Sequence, residues 1–176
     1  MLIFYKSIRL AKQSNLWQIR QLTAETIVIN TGAKSHVLRI PGLLDIAHVY
    51  DITGIQNLET RPDKLAIIGG GNIGLKFAGL HSKLGSQVTV YEASSAILPR
   101  EEEVVAQLAK EYMEEADVTF VLGAKIEQVA VTVNGETAMF DAVLYATGRV
   151  PNTADLGLEN TAIELLGNGA VKVDDY

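Results

Sequence analysis

Gly69, Gly71 and Gly74 stand in the spacing G-x-G-x-x-G within AIIGGGNIGLKFAG, and Glu92 follows 18 residues after the last of them. In such a pattern the first glycine admits a tight strand-to-helix turn, the second lets a ligand reach the backbone, and the third lets the helix lie close on its strand. The turn formed by Gly69, Gly70 and Gly71, with Asn72, Ile73 and Gly74 opening the helix, offers unpaired N–H groups and a positive dipole end. Together these favour an anion by about 0.3–1 kcal/mol before specific hydrogen bonds. A carboxylate at the tip of the second strand accepts hydrogen bonds from ribose hydroxyls and repels a 2′-phosphate. Beside Glu92 stand Ala93, Ser94 and Ser95, with no arginine to hold that phosphate. The combination predicts a dinucleotide pyrophosphate site preferring NAD(H) over NADP(H). The plainer readings are an ordinary glycine turn and a solvated strand end at Glu92.

These residues need a βαβ unit to meet. KLAII predicts a buried strand entering the turn. Beyond it Ile73, Phe77, Leu80, His81 and Leu84 recur at helical spacing before Gly85 ends the helix. QVTVYE is the second strand, and REEEVVAQLAKEYMEEA predicts a second helix with Val104, Val105, Leu108, Ala109, Tyr112 and Met113 as its buried stripe. DVTFVLG and DAVLYATG read as further strands, and KIEQVAVTVNGETAMF as a hairpin turning at Asn134 and Gly135. Residues 1–30 read as a β meander ending in the short strand IVIN, and AVKVD as a strand in the tail. The expected fold is therefore α/β, a Rossmann-like parallel sheet with helices on both faces plus an antiparallel β meander, flanked by smaller β segments.

Composition removes several classes of function. The 176 residues are 48% hydrophobic with a formal charge of -6 and no Lys/Arg run, which argues against a nucleic-acid partner. No apolar stretch approaches the roughly 20 residues that span a bilayer, and MLIFYKSIRL lacks the charge order of a signal peptide; the expected compartment is the cytoplasm. Cysteine is absent, so disulfides, thiolate nucleophiles and Cys-based metal sites are not carried by this chain, and no metal site is expected.

Taken together, IVINTGA with IPG after it, AIIGGGNIGLKFA, GSQVTVYEASSAILPREEE, DAVLYATGRVPN and GAVKVDDY cover nearly the whole chain in order. This set resembles the FAD-dependent pyridine nucleotide-disulfide oxidoreductases, the flavoprotein family of dihydrolipoamide dehydrogenase, glutathione reductase and mercuric reductase. HVYDITG and ILPREEE are most similar to the branch near mercuric reductase. The resemblance implies that residues 1–45 end a first FAD-domain segment, that 46–148 form an NAD-binding domain, and that 149–176 begin the return into the FAD domain. It implies that Gly69, Gly71, Ile73 and Gly74 line the NAD pyrophosphate and ribose and that Glu92 takes the adenosine ribose. It further implies that Ile126 packs on adenine, although a core-strand role for Ile126 is equally open, and that Gly148 lies under the nicotinamide half. Thr31 and Gly32 correspond to a loop approaching the FAD.

The family's redox cysteines, N-terminal FAD fingerprint and catalytic His-Glu pair have no counterpart here, so no catalytic residue is assigned. The chain reads as a fragment that binds NADH without turnover, its missing partners being the FAD and dimerisation domains of the same polypeptide, with a homodimer implied for the full-length enzyme. Two residues depart from the family pattern. Asn72 stands where an aromatic lid is usual, and Lys76 where a glutamate paired with a lysine is usual, so that either that partner has changed too, or Lys76 turns toward the cofactor's phosphates, or it is a solvated helix charge. Two other readings stand beside this one: an NADH oxidase or peroxidase-type flavoprotein without a disulfide, and a non-catalytic NADH-sensing module.

Overall fold

A computed structural model of the chain describes residues 8–10, 20–22, 24, 26–40, 43, 47–128, 132–133, 136–137 and 139–174. The chain divides into two compact units, one of Met1–Lys34 with Val150–Tyr176 and the other Ser35–Arg149.

In the first unit, β1 (Ile8–Leu10) pairs antiparallel with β2 (Arg20–Leu22), with Ile8 opposite Leu22. The third strand expected from IVIN is not formed: Ile27 makes a single bridge, and residues 28–30 are irregular. Likewise AVKVD contributes one bridge, Val171 opposite Leu165, closed around Gly169 at φ +82°. Runs of four or five apolar residues specify a strand only where a neighbour supplies the ladder. A 3₁₀ turn at Leu158–Asn160 precedes the bridge between Leu165 and Val171.

The second unit is built on a parallel sheet. After β3 (Ala33–Ser35) come β4 (Val49–Tyr50), a short helix α1 (Ile52–Gln56), β5 (Lys64–Ile68), α2 (Asn72–Lys83), β6 (Gln87–Glu92), α3 (Glu103–Glu115) and β7 (Val118–Leu122). An antiparallel segment of β8 (Ile126–Gln128), β9 (Thr132–Val133) and β10 (Glu136–Thr137) precedes β11 (Ala142–Tyr145); β12 (Arg149–Pro151), which pairs with β3, belongs like β3 mostly to the first unit. The sheet order is β4-β11-β5-β6-β7, parallel throughout, with Ala66 between Val143 and Thr89. β5 and β11 are buried along nearly their whole length, which is why LAII and AVLY read as unbroken apolar runs rather than alternating ones. The turn expected at Asn134 and Gly135 lies outside the described residues; Val133 faces Glu136 across it.

The α/β class stands, but the layers differ in detail from the expected arrangement. α1 and α2 cover one face, over Leu65, Ile67, Val88, Val90 and Leu144, and α3 reaches the same side through Met113 against Phe120. The opposite face is covered by Leu38, Ile40 and Leu43 of the incoming loop and by Ile126 and Phe140 at the ends of the antiparallel segment. Among the described residues helices thus occupy one face, and the other is closed by loop and meander.

Both helices also bury a different stripe from the one their large residues suggest. α2 turns Gly74, Leu75, Ala78 and His81 inward and leaves Leu80 and Leu84 about half exposed. α3 buries Ala106, with Ala109 and Met113 partly covered, while Val104, Val105, Leu108 and Tyr112 face outward at 49–76% exposure. Small side chains allow a helix to approach the sheet closely, and here that approach outweighs the larger apolar area of valine, leucine and tyrosine.

Candidate functional site

From β5 at the centre, the chain runs outward through β6 to β7 and then returns to β11 on the other side of β5. The loops leaving β5 and β11 therefore diverge at their carboxyl ends, the position at which open α/β sheets form a ligand crevice. One loop holds Gly69, Gly70 and Gly71; the other holds Ala146, Thr147 and Gly148. They start side by side, since the Ala146 N–H donates to the Ile68 carbonyl at 2.8 Å.

The three motif glycines answer different demands. Gly69 has φ +111°, and a Cβ there would lie 2.6 Å from the Ala146 carbonyl oxygen. A Cβ on Gly74 would lie 2.0 Å from the Gly69 carbonyl oxygen, so the strand-helix approach requires glycine there. Gly71 is different. It is the N-cap of α2 at φ -81° and ψ 178°, open to any residue, and a Cβ on it would meet no atom of the chain within 4 Å. Nothing internal to the described chain calls for a glycine at 71. No side chain caps the first turn of α2 among the described residues, which leaves its amides for an acceptor from elsewhere. A pyrophosphate drawn against the backbone fits both features, and the donor set is of the kind that binds it.

Glu92, half-buried at the end of β6, is engaged through both carboxylate oxygens. Oε2 accepts from the Gly70 N–H at 2.7 Å and Oε1 from the Ser94 N–H at 2.8 Å. Two backbone bonds complete the attachment: the Gly69 N–H donates to the Tyr91 carbonyl at 2.8 Å, and the Leu98 N–H to the Gly70 carbonyl at 3.0 Å. The loop after β6 crosses the turn there, and a Cβ on Gly70 would lie 3.0 Å from Ile97 Cγ2. The Ser94 and Leu98 amides carry no signal in the sequence, because any residue but proline supplies them.

The other expected site residues fall in several places. Asn72 is exposed as the first residue of α2, Ile73 is half-buried, and Lys76 lies exposed one turn on. Ile126 is half-buried and packs against the cluster of Ala66, Tyr91 and Ala124. Gly148, at φ +104°, accepts from the His36 N–H at 3.0 Å. Thr31 and Gly32 belong to the other unit, where Gly32 accepts from the Asn152 N–H at 2.9 Å and Thr31 from its side-chain amide at 3.4 Å. NTGA and RVPN are thus hydrogen-bonded to each other. Asp51 caps α1 by accepting from the Thr53 and Gly54 amides at 3.1 and 2.8 Å. The Tyr145 phenol is pushed up by burial and then by the Asp51 charge. Among the described residues no group of three or more His, Asp or Glu could hold a metal ion, and no helix is long and apolar enough to cross a membrane.

Comparison with known proteins adds to this geometry. The family model described as pyridine nucleotide-disulphide oxidoreductase matches residues 5–176. The chain is 40% identical over 161 residues to the probable pyridine nucleotide-disulfide oxidoreductase RclA of Escherichia coli K12, covering 88% of this chain and 36% of that protein. It is 36% identical over 161 residues to the dihydrolipoyl dehydrogenase of Chlamydia pneumoniae, covering 88% of this chain and 34% of that one. The solved structure of the HOCl-induced flavoprotein disulfide reductase RclA from Escherichia coli superposes with a TM-score of 0.84 at 38% identity, over 89% of this chain and 38% of that one. The chain therefore spans about a third of the length of the curated relatives it matches. A family match over residues 5–176, with this level of identity, is decisive: the chain belongs to the pyridine nucleotide-disulphide oxidoreductase family.

Proposed function

We propose that the Ser35–Arg149 unit is the NADH-binding part of an FAD-dependent, disulfide-type reductase. On this reading residues 46–148 carry the nucleotide site, while 1–45 and 149–176 contribute to an FAD domain. The observation that carries it is Gly71, a glycine for which the chain has no steric or conformational use, placed at an uncapped helix N-terminus in a sheet switch point. The amides of the first turn of α2 would hold the pyrophosphate, Glu92 would accept from the adenosine ribose, and Gly148 on the neighbouring loop would lie beneath the nicotinamide half.

NADH supplies a hydride and FAD accepts it in this chemistry; the protein's part is to hold the two in register. The first turn of α2 would offset part of the diphosphate's charge, and the loops after β5 and β11 would border the bound nucleotide. The Glu92 carboxylate, with Ala93, Ser94 and Ser95 beside it, favours NADH over NADPH because a 2′-phosphate would face a negative charge with no arginine in that stretch to offset it. Similarity to RclA, a flavoprotein disulfide reductase, supports the disulfide-type reading over an oxidase. A homodimer and a cytoplasmic site of action, where NADH is at hand, belong to the same reading for the full-length enzyme.

Calorimetric titration of the chain with NADH and NADPH tests the reading. NADH binding at least about tenfold tighter than NADPH is the expected result. NADPH binding as tightly would contradict the role given to Glu92, and a folded chain that binds neither would contradict the site as a whole.

A further inference from the structure

Three consecutive glycines form a turn that other residues must hold in place. Glycine loses more conformational freedom on ordering than any other residue, so Gly69, Gly70 and Gly71 would otherwise be ordered largely at the ligand's expense. Three bonds fix this turn to the tip of β6 and the loop beyond it. They run from the Gly69 N–H to Tyr91, from the Leu98 N–H to the Gly70 carbonyl, and from the Gly70 N–H to Glu92 Oε2 at 2.7 Å. Only the last involves a side chain. The same carboxylate is anchored at its other oxygen by the Ser94 N–H at 2.8 Å, so Glu92 bridges the turn to the loop that crosses it.

We propose that Glu92 is a positioning residue that presets the glycine turn through the Gly70 amide, separately from any contact with ribose. The inference rests on the nucleotide reading of the site above. A carboxylate has about four acceptor positions. Two are occupied by backbone amides, leaving room for a ribose hydroxyl, so the two roles are compatible. Glutamate suits the bridge specifically. Glutamine would turn an NH₂ group toward one of two N–H donors, and aspartate is a methylene too short to keep both bonds from the same backbone position.

Two ligands separate the roles: NADH, and its analogue lacking both the 2′- and the 3′-hydroxyl on the adenosine ribose. If Glu92 served the ribose alone, Glu92→Gln would weaken NADH and leave the deoxy analogue unchanged. The proposal expects Glu92→Gln to weaken the deoxy analogue as well, by about tenfold, the scale of one lost hydrogen bond to a charged group. It also expects faster amide exchange at Gly70 and Ser94, while Ala66 and Ile67 in β5 stay protected, which distinguishes a loosened turn from a damaged fold. Deoxy-analogue affinity within twofold of the parent chain, or unchanged exchange at Gly70 and Ser94, would overturn it. Should the parent chain bind neither ligand while those two amides remain protected, the nucleotide reading itself fails, and the positioning role with it.

Discussion

Gly74 and His81 show what single residues on α2 contribute. A Cβ at 74 would lie 2.0 Å from the Gly69 carbonyl oxygen, an atom of the backbone that cannot rotate away. Gly74→Ala is expected to destabilise the chain by about 1–3 kcal/mol, the usual cost of overpacking, as read from urea unfolding. His81 is buried on the inner face of the helix, stacks on Phe77 at 6.5 Å between ring centroids, and leaves Nδ1 without a partner. Burial first, and the Arg61 charge second, hold its imidazole below the ordinary value of 6.5. Below that pH the unfolded chain takes up a proton that the folded chain resists, so stability falls as pH drops from about 6.5 toward the lower folded value. Urea midpoints between pH 7.5 and 5 should show this decline, and His81→Leu should flatten it. At this scale the glycine spacing was legible in the sequence, with backbone demands calling for glycine at 69 and 74 though not at 71, and Glu92 was legible from its place at the end of the second strand. The bond from Gly70 to Glu92 was not, since whether a strand-end carboxylate reaches a backbone amide depends on how the glycine turn packs against the tip of β6.

Elements were legible in kind but less so in orientation. KLAII and DAVLYATG announce buried parallel strands, and β5 and β11 occupy the centre of the sheet. VVAQLAKEYM announces a helix, yet its period marks two candidate faces, one of valine, leucine and tyrosine and one of alanine and methionine. Periodicity alone cannot tell which of them the sheet will take. The structure selects Ala106 and Met113, placing Ala106 in a cluster with Leu75, Ile97 and Leu98. Ala106→Leu is therefore expected to cost about 1–3 kcal/mol, whereas Leu108→Gln should change stability by no more than about 0.5 kcal/mol. Thermal or urea denaturation of the two variants checks this ordering, which the stripe expected from the larger residues would reverse. β4 escaped the sequence reading because a two-residue strand, Val49 and Tyr50, is too short to show a period; its place is set by pairing with Val143 and Leu144.

For the molecule as a whole, the candidate site follows from topology. Strand order β4-β11-β5-β6-β7 makes the chain reverse direction beside β5, and this brings the glycine turn next to the loop after β11 although some 75 residues separate them. The first loop was legible from its glycine motif, while its neighbour was available only from the resemblance of DAVLYATGRVPN to a family. The proposed occupant of the crevice between these loops is a dinucleotide held against Gly71. The most direct test of this claim pairs NADH affinity with unfolding stability in Gly71→Val. A Cβ at 71 meets no atom of the chain and its backbone angles suit valine, so stability should change by no more than about 1 kcal/mol, the cost of a poorer helix cap. NADH affinity should fall by more than about tenfold. Unchanged NADH binding in a variant of unchanged stability would contradict the claim.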